Sequence, residues 1–237
     1  MGIVDLVNRA CGWLKRRPAT LGKLLILLAT IIWGSSFVVL KNTLDTIPTE
    51  FLLGFRFFLA AVLLSAVFYQ MWREFNLSYL RRGLLLGLLL FGAYYSQTLG
   101  LTDTTPGKNA FLTATYCAIV PFLYWAVDKL RPDRYNISAA LLCLLGIGMV
   151  AITSGFSMRL GDSLTLVGAM FYAAHIVALA KFTRGHNPLL LTTVQFFTCG
   201  IINWILQLFV VKQPVPELTA ANITALLYLT ILFSAVA

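Results

Sequence analysis

Charge is what this chain has least of. Asp, Glu, Lys and Arg make up 11% of its 237 residues, where soluble domains carry about 25%. The nine acidic residues are scattered, and there are two histidines, His175 and His186. An integral-membrane enzyme acting on lipid-linked substrates needs carboxylates or histidines clustered at one interface. The loops here offer Glu74, Asp128 and Asp133 singly, with no signature of covalent chemistry beside them. The four cysteines, Cys11, Cys117, Cys143 and Cys199, show no paired spacing. That speaks against a disulfide framework or a zinc site, and they read as small packing residues. No cofactor and no metal are implied. The first apolar span holds no carboxylate, which counts against exchange of a cationic drug for a proton bound there. It is also too long for a signal peptide and lacks a small-residue cleavage site, so it reads as a retained anchor.

Apolar sequence is what the chain has most of: 59% of residues are apolar and the mean hydropathy is +0.84. So few charges cannot cover that surface in water. Eight apolar stretches follow one another, at 21–41, 49–71, 83–101, 107–127, 137–153, 162–181, 188–210 and 221–237. Each is near the ~20 residues a helix needs to cross the hydrocarbon core. Helices are required, because each backbone polar group must be satisfied within its span. The predicted class is an all-α integral membrane bundle. The net charge of +9 sits in short loops, which makes it a matter of topology rather than of nucleic acid. Arg9, Lys15, Arg16, Arg17, Lys23, Arg73, Arg81, Arg82, Lys129, Arg131, Arg134, Lys181 and Arg184 fall on the N-terminal side. Lys41, Lys108, Arg159 and Lys212 fall on the other. The positive-inside rule then puts the N-terminus in the cytoplasm of a multi-pass cell-membrane protein.

The sixth and seventh stretches look like reworkings of the first and second. Trp33-Gly34-Ser35 corresponds to Tyr172-Ala173-Ala174, and Phe55-Arg56-Phe57-Phe58 to Val194-Gln195-Phe196-Phe197, both at an offset of 139 residues. Pro48 and Pro188 precede the second pair of blocks. A repeat of an odd number of helices inverts its orientation, and inverted repeats mark secondary transporters.

The stretch from Gly100-Leu101 through Thr104-Thr105-Pro106-Gly107 to Asn109-Ala110-Phe111-Leu112, taken with Trp33-Gly34-Ser35, Asp128-Lys129-Leu130-Arg131-Pro132 and Gly146-Ile147-Gly148, resembles the EamA family of the drug/metabolite transporter superfamily. The resemblance runs from about residue 21 onward. It departs at Asp128, where the family has a glycine-glutamate pair. It implies two five-helix halves, ten spans in all. Here residues 1–20 read as a basic cytoplasmic arm, 21–153 as a first repeat of spans one to five, and 162–237 as an incomplete second repeat of spans six to eight. The sequence ends inside an apolar run at Ala237, so the expectation is a fragment lacking about 60 residues that would form two more spans.

Polar groups inside spans are costly and usually face the bundle interior. In span four Asn109, Thr113 and Tyr116 follow i, i+4, i+7 and share one face. They either line a solute pathway or bond neighbouring helices. In span three Gly92, Ser96 and Gly100 form a small-residue packing stripe, leaving Tyr94, Gln97 and Thr98 on another face and Tyr95 between. These tyrosines either line the pathway or anchor the interface. Span one offers Trp33, Ser35 and Ser36, and the repeat sets Tyr172, Ala174 and His175 against them. Trp33 and Tyr172 would be aromatic walls near a central pseudo-two-fold axis. His175 would be either a titrating group or a neutral side chain bonded to an adjacent helix. Arg56 lies about 9 Å past Glu50 along a helix. That is shallow enough to snorkel outward, or suited to hold a substrate carboxylate. The predicted pathway set is Trp33, Ser36, Arg56, Tyr95, Gln97, Asn109, Thr113, Tyr116, Tyr172 and His175. Trp33, Asn109, Tyr116, Tyr172 and His175 are expected to share one cavity, open on one side.

The reading that follows is a secondary transporter, an exporter of amino acids or similar small polar solutes working by alternating access. Its partners are a small-molecule substrate and the lipid bilayer, not nucleic acid, and a homodimer is open to it. The alternatives are a truncated, non-transporting or accessory membrane protein and, remotely, a membrane enzyme on a lipid-linked substrate.

Overall fold

Asn, Thr and Pro mark where the helices begin. The computed structural model describes residues 18–129, 131–153, 158–212, 216–217 and 219–231. Helix α1 (Pro18–Leu44) turns at Asp45–Ile47 into α2 (Thr49–Val67), which opens directly after Pro48. A 3₁₀ segment, Tyr69–Glu74, leads to Asn76, whose Oδ1 accepts from the Ser78 and Tyr79 amides at 2.9 and 3.4 Å. That cap starts α3 (Leu77–Thr102), satisfying amides that have no partner inside the helix. Thr105 does the same for α4 (Pro106–Thr113), with Pro106 at the position where a missing N–H costs nothing. Then come α5 (Tyr116–Asp128), α6 (Arg134–Thr153) and α7 (Leu160–Phe182). Asn187 and Pro188 begin α8 (Pro188–Ile205), which continues as a π-helical stretch, Leu206–Val211, and Thr219 caps α9 (Ala220–Tyr228).

The described residues form helices and turns, without strands. Six helical spans are long and apolar enough to cross a bilayer: Leu27–Leu44, Thr49–Val67, Leu77–Thr102, Pro106–Asp128, Leu160–Phe182 and Pro188–Val211. The expected fifth span corresponds to α6. The expected eighth begins with α9, and its residues 232–237 lie outside the described residues, as do residues 1–17 of the expected arm.

Two expectations need correction. The third helix starts at Leu77 rather than residue 83, so Arg81 and Arg82 lie in its first two turns instead of a loop. Hydropathy does not register a cap such as Asn76. The fourth span is also not one continuous helix but breaks at Ala114–Thr115 between α4 and α5. Thr115 Oγ1 bonds back to Leu112 O at 2.6 Å, and Ala114 O also receives Cys143 Sγ at 3.6 Å. Pro121 inside α5 has no N–H to offer the preceding turn, which weakens the helix on that side.

Helix α3 is the centre of the bundle, packed antiparallel on α7 and also on α8, while α2 packs on α8. Glycine makes the α3–α7 seam close. A β-carbon on Gly100 would lie 2.5 Å from Gly161 O, and one on Gly168 would lie 2.9 Å from Ala93 O. The main apolar core, including Leu52, Leu53, Phe57, Ala60 and Leu101, lies between α2, α3 and α8. The charged groups separate to two ends. At one end Lys41 Nζ donates to Leu101 O and Thr102 O at 2.7 and 2.8 Å, and Lys108 pairs with Asp162 at 2.6 Å. At the other end Asp128 is flanked by Lys181 at 3.5 Å and Arg184 at 3.6 Å, and Arg82 meets His186 at 2.6 Å.

Candidate functional site

Arg56 is the largest buried polar side chain in the bundle, 1% exposed. It does not snorkel outward as its depth along α2 allows. Its guanidinium carbon lies 4.9 Å from the Tyr94 ring centroid and 5.1 Å from that of Phe57. Stacking on aromatic faces offsets part of the cost of taking the cation from water. Phenol rings from three helices form a row that starts beside it. Tyr94 of α3 meets Tyr172 of α7 edge-on at 5.2 Å, and Tyr172 meets Tyr116 of α5 at 5.9 Å. Phe57 closes the group against Tyr94 at 4.9 Å. Of the predicted residues, the structure thus brings Arg56, Tyr116 and Tyr172 into one cluster.

A hydrogen-bond chain leads from this cluster toward the Lys108–Asp162 end. The Tyr172 hydroxyl donates to Gln97 Oε1 at 2.9 Å, and Gln97 Nε2 donates to Thr113 Oγ1 at 2.8 Å. Asn109 Nδ2 donates to Gln97 O at 3.1 Å and to Thr165 Oγ1 at 2.7 Å. Asn109 and Thr113 are therefore bonded across helices, as the plainer of the two sequence readings has it. The Asn109 carbonyl oxygen is buried and finds no partner among the described residues. Unpaired polar atoms inside an apolar bundle cost roughly 2 kcal/mol or more each.

The remaining predicted residues stand around this core. His175, buried, shares a 2.7 Å hydrogen bond with Gln195 Oε1 of α8. Ser36 is buried and donates to Trp33 O at 2.7 Å, while Trp33 is 43% exposed on α1. Helix α1 makes its principal contacts with α3, α4 and α9. Tyr95 points away from Tyr94 and donates to Glu50 Oε1 at 2.8 Å.

The sequence reading passed over several groups. Tyr94 was placed on a face but not in the pathway set. Asp162 was treated as a span boundary, yet its side chain is 1% exposed, and it receives Thr104 Oγ1 at 2.8 Å as well as Lys108. Asn203 of α8 and Gln207 of the π-helical stretch that follows it, polar residues within the seventh span, are buried. The signal available for them was the same one used elsewhere, an amide in an apolar run. Among the described residues no group of three His, Cys, Asp or Glu is placed to hold a metal.

The sequence profile of the EamA-like transporter family matches residues 20–152. The chain belongs to that family, within the drug/metabolite transporter superfamily. An "uncharacterized transporter" of Archaeoglobus fulgidus is 34% identical over 189 residues, covering 80% of this chain and 58% of that protein. The "uncharacterized transporter YrdR" of Bacillus subtilis is 26% identical over 184 residues, covering 73% of this chain and 56% of that protein. This EamA chain therefore spans somewhat over half the length of these curated relatives. No solved structure gives a significant match.

Proposed function

We propose that this EamA-family chain carries the solute pathway of a secondary transporter, exporting amino acids or similar small polar solutes by alternating access. The observation that carries the proposal is Arg56, a cation taken from water and stacked on Tyr94, from which an aromatic row continues to Tyr172 and then Tyr116. A guanidinium gives a carboxylate a two-point hydrogen-bonded partner, and phenol hydroxyls around it can hold the rest of a polar solute. Trp33, Ser36, Tyr95, Gln97, Asn109, Thr113 and His175 belong to the proposed pathway as wall or support. The cytoplasmic N-terminus and the cell membrane belong to the same reading, because the basic loops gather at one end of the bundle.

The inverted repeat is also part of it. Phe57 and Phe196, equivalent at the 139-residue offset, touch at 5.3 Å, and Phe58 and Phe197 touch at 5.5 Å. A two-fold axis in the membrane plane brings equivalent residues near it into contact with each other, so this supports the repeat. Helix α3 packs on α7 and α8, and its proposed counterpart α9 packs on α1 and α2.

The test is counterflow in proteoliposomes with anionic, zwitterionic and cationic solutes. Arg56→Ala is expected to reduce flux of carboxylate-bearing solutes by roughly tenfold or more, the scale of one lost charge-assisted pair, while sparing cations. Arg56→Lys keeps the charge and should insert and fold. Equal loss for anionic and cationic solutes makes Arg56 structural, and no flux by the unmodified chain overturns the proposal.

A further inference from the structure

Glu50 is buried beside neither Arg56 nor the Lys108–Asp162 pair, and nothing derived above uses its charge. It sits in the first turn of α2 and is 6% exposed. One carboxylate oxygen accepts from Tyr95 at 2.8 Å. No bond to the other oxygen occurs among the described residues, and no Lys, Arg or His nitrogen there forms an ion pair with Glu50. Lys41, at the same end, is turned to Leu101 O and Thr102 O. A carboxylate at the start of a helix gains from the helix dipole, but only by a modest amount. That gain does not say what the second oxygen meets: the atom is not among the enclosed unpartnered ones, so it opens onto the cavity beside it.

The carboxylate borders a cavity of about 440 Å³ between the α1–α2 turn and the far end of α8. Asp45, Thr46 and Thr49 supply the polar part of its lining, and Leu44, Leu99 and Val211 the apolar part. The volume fits a small organic molecule. An inorganic cation needs several oxygens converging at short range, whereas this cavity has one buried carboxylate, the exposed carboxylate of Asp45, two hydroxyls and an apolar wall. We infer that Glu50 and this cavity form a binding site for an organic ammonium group, held by the free carboxylate oxygen with its carbon body against Leu99 and Val211. The inference deepens the solute-transport reading and rests on it for its physiological meaning. The ligand class becomes an amine, or the ammonium end of a zwitterion, met at the Lys41 end after the exported solute leaves Arg56.

Binding is measurable without flux. Calorimetry on the purified chain in detergent uses n-propylammonium and its neutral isostere 1-propanol. The expected result is binding of the ammonium and none of the alcohol. Glu50→Gln, which keeps the volume and the acceptor for Tyr95, weakens ammonium binding by roughly tenfold or more, and Tyr95→Phe weakens it less. A Glu50→Gln chain with unchanged affinity, or equal binding of both probes, overturns the inference. Where Glu50→Gln does not yield folded protein, Thr46→Cys in the otherwise unmodified chain decides. A trimethylammonium thiosulfonate should modify it about tenfold faster than a sulfonate analogue, and propylammonium should slow that reaction. Equal rates overturn the site. Loss of all solute flux with ammonium binding intact removes the transport reading and leaves the site. Flux without ammonium binding removes the site alone.

Discussion

Adding one methyl group at Gly100 should separate α3 from α7. A β-carbon built there falls 2.4 Å from Thr165 Oγ1, 2.5 Å from Gly161 O and 3.1 Å from the Thr165 amide. Carbon and oxygen atoms rest at roughly 3.4 Å or more, so the seam must open by about 1 Å. Thr165 cannot simply swing away. Its hydroxyl donates to Gly161 O at 2.7 Å and accepts from Asn109 at 2.7 Å, and the second close atom is backbone. Overpacking of this kind costs about 1–3 kcal/mol. The lost Asn109–Thr165 bond adds about 0.6 kcal/mol on the scale measured within membranes. Against these, alanine gains up to about 1 kcal/mol over glycine in a helix. The balance is a destabilisation of about 0.6–2.6 kcal/mol for Gly100→Ala.

Gly34→Ala and Gly146→Ala are the controls, because nothing lies within 4 Å of a β-carbon at either position. Only the propensity gain acts there, so both should be neutral or stabilising by up to about 1 kcal/mol. Reversible unfolding in mixed detergent micelles, followed by circular dichroism, reads all three. A Gly100→Ala chain that unfolds no more easily than the Gly34→Ala chain refutes the close seam.

The Lys108–Asp162 pair makes a double-mutant cycle. Lys108→Met leaves Asp162, 1% exposed, without its cation and should cost about 3–5 kcal/mol in the same unfolding assay, while the Lys108→Met, Asp162→Leu double variant should recover most of that loss; additive losses refute the pairing. For topology, Lys108→Cys should react with impermeant thiol reagents from outside the cell and Arg184→Cys only from the cytoplasmic side, and the reverse pattern inverts the orientation.

Much of the fold was legible because hydrocarbon imposes it. Apolar runs near span length give helices, and the two prolines noted before the repeat blocks, Pro48 and Pro188, stand at helix starts. The small-residue stripe was legible at Gly100, but its partner was not. Glycine periodicity shows that a helix can be approached closely, and it does not say that Gly161 and Gly168 of α7 do the approaching. The break at Ala114–Thr115 escaped because it depends on Thr115 bonding backward and on Cys143 reaching Ala114 O from α6. Arg56 was misread in depth. Distance along a helix fixes how far a side chain lies from the helix end, whereas burial depends on what Tyr94 and Phe57 place over it. The spacing of Asn109, Thr113 and Tyr116 reads as one helical face, but Tyr116 lies past the break, on the next helix. Sequence left open whether it meets solute or helix, and the bonds to Gln97 and Thr165 turn it to the neighbouring helices.

These bonds bear on what can move. The Gly100–Gly161 approach, the Asn109–Thr165 bond and the Lys108–Asp162 pair all join α3 or α4 to α7. On the proposed repeat they join the first half to the second. Breaking all three at each turnover costs several kcal/mol, since the ion pair alone is buried on one side. In the proposed alternating-access cycle, a rocking body made of α3, α4 and α7 together therefore costs less than one sequence half sliding over the other. The aromatic contacts of α2 with α8 carry no ion pair and no backbone approach shorter than that of Gly200 to the Phe58 amide, 2.8 Å for an added β-carbon. Under this division the Gly100→Ala and Lys108→Met chains lose flux because the moving body itself comes apart. Their transport defects should therefore track their unfolding free energies, whereas Arg56→Ala should lose carboxylate flux at unchanged stability relative to Arg56→Lys.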